Sequence, residues 1–220
     1  MNPKPERPDA TELNAASKRT LFGKPLEGET RLDDLSGLRL RSVTTHSALN
    51  AAEAEGIRKV MVKYLAETPT RRAAPFTVAW MQRLHRDMFS RIWTWAGEFR
   101  THETNIGSPA HQVSVELHRL ALDLRVWEQS KMDFLEQAVR LHHGAVRIHP
   151  FSNGNGRWSR LLANVWLKMH GAPLIFWPEP SIGVASEVRG EYLDAIRAAD
   201  RGEFAPLLAL HQRFGSEHTD

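Results

Sequence analysis

Residues 148–160 read IHPFSNGNGRWSR, and the remainder of the chain is organised around them. Pro150 disfavours the α conformation at the residue before it, so a preceding helix has to stop near Ile148 and leave His149 at its end. Gly154 and Gly156 let the backbone approach a ligand closely, with N–H groups turned inward. Those N–H groups open a following helix, where unpaired donors and the helix dipole favour an anion. Arg157 and Arg160 are three apart, so on a helix they share a side and can fork onto neighbouring phosphates. His149 is the natural proton acceptor near neutral pH. An isolated Gly-Asn-Gly would be an ordinary helix–loop–helix turn. A histidine, two glycines and two spaced arginines within thirteen residues point instead to a loop that holds phosphates beside a base.

Composition narrows the class. The chain has 220 residues, 41% hydrophobic and 25% charged, which suits one well-buried domain. The net charge is +3 and no block of five basic residues occurs, so a nucleic-acid partner is not expected. The absence of cysteine excludes disulfides and thiolate metal sites. The apolar runs are too short to span a bilayer and no signal-peptide pattern opens the chain, so a cytoplasmic protein with no membrane partner is expected.

The periodicity is helical almost throughout. Residues 1–27, with Pro3, Pro5, Pro8 and Pro25, read as a flexible leader, and 28–217 as the folded body. A helix is expected over 48–67, capped by Thr45 or Ser47, with Leu49, Ile57, Val60, Met61, Tyr64 and Leu65 on one stripe. A second spans 76–92 and carries His85 as a core histidine. Residues 101–113, with Asn105, Gly107, Ser108 and Pro109, read as a hairpin or irregular loop. A helix over 114–128 follows. Another, capped by Asp133, runs into the 148–160 loop. His142 and His143 lack a zinc-ligand spacing and read as structural. The helix over 158–169, closed by Gly171 and Pro173, is the most strongly patterned. Two more are expected over 187–199 and 203–214.

The stretch HPFSNGNGRWSR resembles the HPFx[D/E]GNGRxxR signature of Fic-domain proteins. LHRDMFSRIWTWAGEFRT resembles the segment preceding their flap, and RGEYLDAIRAADRGEFAPL the stretch after the signature. The likeness covers about residues 30–215, and the motif order is most similar to the mobile mystery protein B subgroup. It implies an all-α, Fic-type helical domain with a small β-hairpin flap over 101–113. It further implies a protein adenylyltransferase that moves AMP from ATP to a Ser, Thr or Tyr hydroxyl of a protein target. By this resemblance His149 is the base and Phe151 an anchor. Gly154, Asn155 and Gly156 cradle the phosphates, Arg157 and Arg160 neutralise them, and Tyr192 lines the nucleotide pocket. Mg²⁺ would bridge two phosphates. Asn153 stands at the metal position, where such families carry Asp or Glu, and offers only a neutral carbonyl, so a higher Mg²⁺ demand is expected.

Many Fic proteins are restrained by an N-terminal helix with the motif [S/T]xxxE[G/N], whose glutamate pairs with the second arginine of the signature. Residues 51–56 match at Glu55 and Gly56 but carry Ala51 where Ser or Thr belongs. The motif letters point to Glu55. Periodicity points to Glu53, which falls within the apolar stripe while Glu55 falls opposite it. Either would reach Arg160 and occupy the place of a phosphate. A helix-turn-helix or antitoxin-like partner is a further expectation of the resemblance. Two alternatives stay open. One keeps the fold but transfers another nucleotidyl or phosphate-containing group, or removes AMP. The other is a catalytically weak binding module, kept open by Asn153.

Overall fold

The computed structural model describes residues 27–28, 37–40, 43 and 45–216. The leader expected over 1–27 lies outside the described residues except for Glu27. Among the described residues the order is α1 (His46–Leu65), α2 (Val78–Phe89), a single 3-10 turn (Ala110–Gln112), α3 (Val113–Glu128), α4 (Phe134–Ile148), α5 (Asn155–Met169), α6 (Glu179–Ile182), α7 (Glu187–Asp200) and α8 (Ala205–Ser216).

Side-chain caps set where helices begin. Thr45 accepts from the N–H of Ala48, Thr77 from Trp80, Asp133 from Glu136 and Ser186 from Arg189. Each satisfies a first-turn donor that has no carbonyl within its own helix. The second helix is shorter than expected and stops at Phe89. The N–H groups of Ile92 and Trp93 both turn back onto the Phe89 carbonyl, at 2.9 Å each. Trp93 then makes an isolated antiparallel bridge with Leu38.

Helix α5 is central. Trp158, Leu162, Val165, Trp166 and Leu167 have no exposed surface. It lies along α4, while α1 packs on α2, α3 on α4 and α7 on α8. The Trp158 indole donates to the Met81 carbonyl at 3.1 Å, which ties α5 to α2. A central, immobile α5 gives the loop at its N-terminus a rigid base.

Helix α1 is held by a close crossing. A Cβ added at Gly56 would fall 2.3 Å from the Met88 carbonyl oxygen of α2, so only glycine allows this approach. Gly56→Ala must push the two helices apart. The expected cost is about 1–3 kcal/mol, typical of overpacking, read as a melting temperature lower by roughly 2–12 °C. An unchanged thermal melt would show that α1 does not cross there.

The fold is all-α, as expected, and of the two forms that the turn residues allow for 101–113 the structure takes the irregular loop rather than the hairpin that the resemblance implies. Among the described residues there is no strand. The backbone here bonds elsewhere: the N–H of Arg100, just before the segment, donates to the Pro150 carbonyl at 3.0 Å, and the Ser108 N–H within it to Ile148 at 3.3 Å. Thr104 Oγ1 donates to the Ile106 carbonyl at 2.6 Å, and Gly107 has φ +103°. The Ser108 N–H is thus used against the end of α4 rather than in a ladder across the segment.

Candidate active site

The α4–α5 loop takes its shape from two left-handed residues. Pro150 ends α4, and His149 has φ 53° and ψ 60°. A non-glycine residue in this conformation costs roughly 1–2 kcal/mol, so the surroundings must hold it. Gly154, at φ 79°, opens α5. A Cβ there would meet the Phe89 ring at 2.7 Å. Between these two points the loop is pinned from below. Phe151 is fully buried, stacks on His85 with centroids 3.7 Å apart, and meets Trp158 edge-on at 5.0 Å. This is the placement that an anchor needs.

His85 is the core histidine that the sequence indicates. Its Nδ1 accepts from the Gly97 N–H at 3.0 Å and its Nε2 donates to the Asn153 carbonyl at 3.0 Å. Those partners assign the proton to Nε2. Burial pushes its pKa down to about 3, so the ring is neutral and structural.

Two loop asparagines turn inward. Asn155 Oδ1 accepts from the Phe151 N–H at 2.9 Å and its Nδ2 donates to the Phe151 carbonyl at 2.8 Å. Its side chain therefore closes the loop onto Phe151. Asn153 Oδ1 accepts from the Gly154 N–H at 2.7 Å. The oxygen assigned to the metal position is thus engaged with its own loop. Among the described residues no group of three His, Cys, Asp or Glu side chains could hold a metal ion. These residues do not fit a protein-held Mg²⁺, because Asn153 offers no negative charge and its side-chain oxygen is already used, and no such acidic cluster occurs among the described residues.

His149 lines a cavity of about 910 Å³ together with Gly154, Gly156, Arg157, Arg160 and Tyr192. Its Nδ1 lies 3.3 Å from the Val146 carbonyl, which assigns the proton to Nδ1 and the basic lone pair to Nε2. Its pKa falls to about 4. Burial is the main cause, the Val146 carbonyl opposes it, and the Arg100 charge adds to it. At neutral pH the imidazole is a base without a proton to lose first.

Both arginines hold carboxylates. Glu53 is buried on the inner face of α1, and its Oε1 accepts from the Trp93 indole at 2.8 Å. Its Oε2 lies 2.7 Å from Arg157 Nη2. No donor is aligned on that oxygen, so charge rather than a linear hydrogen bond holds the pair. Arg160 forks onto Glu179 of α6, with Nε to Oε1 at 2.7 Å and Nη2 to Oε2 at 2.5 Å. Its guanidinium also lies over the Tyr192 ring, 5.6 Å from the centroid. Tyr192 in turn sits 3.0 Å from His142 Nε2, so it is buried beside the cavity rather than in a separate core.

The carboxylate contacts of the two arginines differ from those expected. Glu55 is exposed and pairs with Lys59 at 2.8 Å and Arg91 at 3.7 Å, so it does not reach the site. Glu53 reaches the site but meets Arg157, not Arg160. Helical geometry gives the reason. Residues three apart differ by about 60° around the axis, so Arg157 faces α1 and Arg160 faces α6. Glu179 was not anticipated. The one available signal is that it is the sole carboxylate between Arg160 and Glu187, set between Pro178 and Pro180. Asn164 positions it from α5. Its Oδ1 accepts from the Ile175 N–H at 2.9 Å and its Nδ2 donates to the Ile175 carbonyl at 2.8 Å, which fixes the strap leading to α6.

The sequence profile of the Fic/DOC family matches residues 75–167, which take in α2, the 101–108 segment and the whole His149 loop. The chain carries a Fic/DOC family domain. Solved Fic proteins share the fold. Caenorhabditis elegans Fic-1 (residues 134–508) superposes with a TM-score of 0.61 at 22% identity, over 80% of this chain and 51% of that one. BepC of Bartonella tribocorum, solved with bound AMPPNP, gives a TM-score of 0.59 at 18% identity, over 90% of this chain and 97% of that one. By sequence, the protein adenylyltransferase Fic of Aedes aegypti is 29% identical over 152 residues, which is 67% of this chain and 29% of the relative. Protein adenylyltransferase fic-1 of Caenorhabditis briggsae is 31% identical over 131 residues, 57% of this chain and 23% of the relative. The chain thus spans less than a third of the length of these curated relatives. No described helix is long and apolar enough to cross a membrane.

Proposed function

We propose that the Fic domain of this chain transfers AMP from ATP to a hydroxyl of a protein target, and that the structure is its restrained state. One observation carries the reading: His149, Arg157 and Arg160 line a single cavity, and each arginine already holds an anion of the charge class of a phosphate. The relatives named as adenylyltransferases support the choice of AMP.

In the proposed reaction the β- and γ-phosphates replace the Glu53 and Glu179 carboxylates on Arg157 and Arg160. The N–H groups of the first turn of α5 face the same anion. His149 Nε2 takes the proton from the target hydroxyl. The hydroxyl oxygen forms a bond to the α-phosphorus, the bond from that phosphorus to the bridging oxygen breaks, and pyrophosphate leaves. Positioning and charge neutralisation supply most of the acceleration. Mg²⁺, if carried in by the phosphates, would neutralise charge there, and no step above depends on an Asn153 ligand. A target protein is the natural partner, and a helix-turn-helix or antitoxin-like protein that stabilises the restrained state would fit the same scheme. The unit would be residues 28–217 behind the 1–27 leader.

Restraint makes a prediction about nucleotide binding. Glu53→Gln keeps an oxygen for Trp93 but removes the charge on Arg157, and Glu179→Gln does the same at Arg160. Each should tighten ATP binding by about 5–150-fold, the range of a coupling free energy of 1–3 kcal/mol. Calorimetric titration with ATP reads this directly, and equal affinities in all three chains would contradict the restraint.

The transfer itself is tested by incubating these variants with ATP labelled at the α- or the γ-phosphate. The proposal expects protein-bound label from the α position only. Label from the γ position would mark a kinase-type transfer. No label in either released variant would favour a silent binding module.

A further inference from the structure

Arg100 is the other buried cation near His149, and the proposed reaction leaves it without a role. Its side chain has no exposed surface, and Glu103, 3.9 Å away, is 68% exposed. A buried guanidinium with so little counter-charge is costly unless dipoles replace its water.

Four backbone carbonyls supply those dipoles. Arg100 Nε donates to His149 at 2.7 Å and Nη1 to His102 at 3.0 Å. Its Nη2 donates to Ser108 and reaches Ile148 at 3.5 Å. Two of these carbonyls close α4 and two belong to the 101–108 segment. The C-terminal carbonyls of α4 lack partners within their helix, and that end of the dipole attracts a cation. The segment also lies flat against the histidine, because a Cβ at Gly107 would fall 2.5 Å from His149 Cβ. Ile106, on the same segment, lines the cavity. Arginine suits this job and lysine does not. Five donors in a rigid plane can serve four carbonyls, whereas an ammonium has three donors around a point.

We propose that Arg100 is a positioning residue that rivets the 101–108 wall of the cavity to the backbone of His149, so that the wall and the base form one rigid body. The inference rests on the reading of His149 as the base. It adds that the left-handed His149 is held in place from outside its own loop.

The test compares Arg100→Lys, which keeps the charge but not the fork, with the parent chain. Amide hydrogen exchange is measured along both, and α-labelled ATP incorporation is measured in the Glu53→Gln background. Exchange should rise about tenfold or more in residues 101–108 and 148–150, with little change in α2 and α5. In the same variant kcat should fall on the order of 100-fold, as for a misplaced catalytic group, with KM for ATP nearly unchanged. Unaltered exchange at 101–108 would overturn the proposal. So would a rise shared equally by every helix, which marks ordinary fold support. Absence of label in the Glu53→Gln parent would refute AMP transfer instead, and the exchange pattern would still decide the role of Arg100.

Discussion

His149→Ala, placed in the Glu53→Gln chain, is expected to lower AMP transfer by about 10²–10⁴-fold, the usual contribution of a positioned general base. ATP affinity should stay within a few-fold, because Arg157, Arg160 and the first turn of α5 hold the phosphates without the imidazole. The backbone needs its own control, since His149 is left-handed. Asparagine tolerates that conformation better than most residues but has no base at neutral pH. If His149→Asn loses activity as fully as His149→Ala, the loss is chemical. If His149→Asn stays active while His149→Ala does not, position 149 supplies only backbone shape, and the assignment of His149 as the base falls.

The second large effect is acid sensitivity of the fold. Four of the buried histidines, His85, His142, His149 and His211, are held neutral. Burial pushes His85 down to about 3 and His149 and His211 to about 4, and it takes His142 well below its ordinary value. His142 and His211 also face each other, with Nδ1 and Nε2 3.2 Å apart, while His211 Nδ1 donates to the Leu207 carbonyl at 2.8 Å. That orientation leaves His211 Nε2 as acceptor and His142 Nδ1 as donor, a pattern that a further proton would break. The sign follows from depressed folded-state values. Above about pH 6.5 neither state binds the proton and the full stability is present. As the pH falls below that, the unfolded chain takes up protons that the folded one refuses, and stability drops by up to about 1.4 kcal/mol per pH unit for each histidine. The loss continues until the folded-state values near 4 are reached. Thermal melts at pH 7, 6 and 5 should fall by roughly 10–20 °C over the last unit. His211→Gln should flatten that dependence. A melting temperature constant from pH 7 to 5 would contradict the buried, neutral assignment.

The fold was legible where periodicity was strong. Trp158 to Met169 announces a central helix through its apolar spacing, and Asp133 and Pro150 bracket α4 from both sides. The same principle separated Glu53 from Glu55: one lies on the inner face of α1, the other on the outer. Motif letters alone would have chosen the exposed residue. The turn residues of 101–113 left a hairpin and an irregular loop open, and local signals could not choose between them: the Ser108 N–H is used on Ile148, and the His102 and Ser108 carbonyls serve the Arg100 fork. Such pairing depends on contacts 40 or so positions distant in the chain, about which local turn signals say nothing. Asn155 shows a similar limit. Its residue type suits a ligand contact, yet its amide closes the loop onto Phe151. Glu179 was hidden because it acts across the apolar strap at 174–177, whose path is set by Asn164. In each case the residue type was readable, and the partner came only with the fold.

The claim on which everything else rests is that two carboxylates sit where two phosphates belong. A crystal structure of the Glu53→Gln, Glu179→Gln double variant with a non-transferable ATP analogue tests it most directly. The expected result is one terminal phosphate on Arg157, one on Arg160, and the His149 imidazole facing the α-phosphorus. An analogue bound away from both arginines, with Arg157 and Arg160 still turned toward positions 53 and 179, would contradict it.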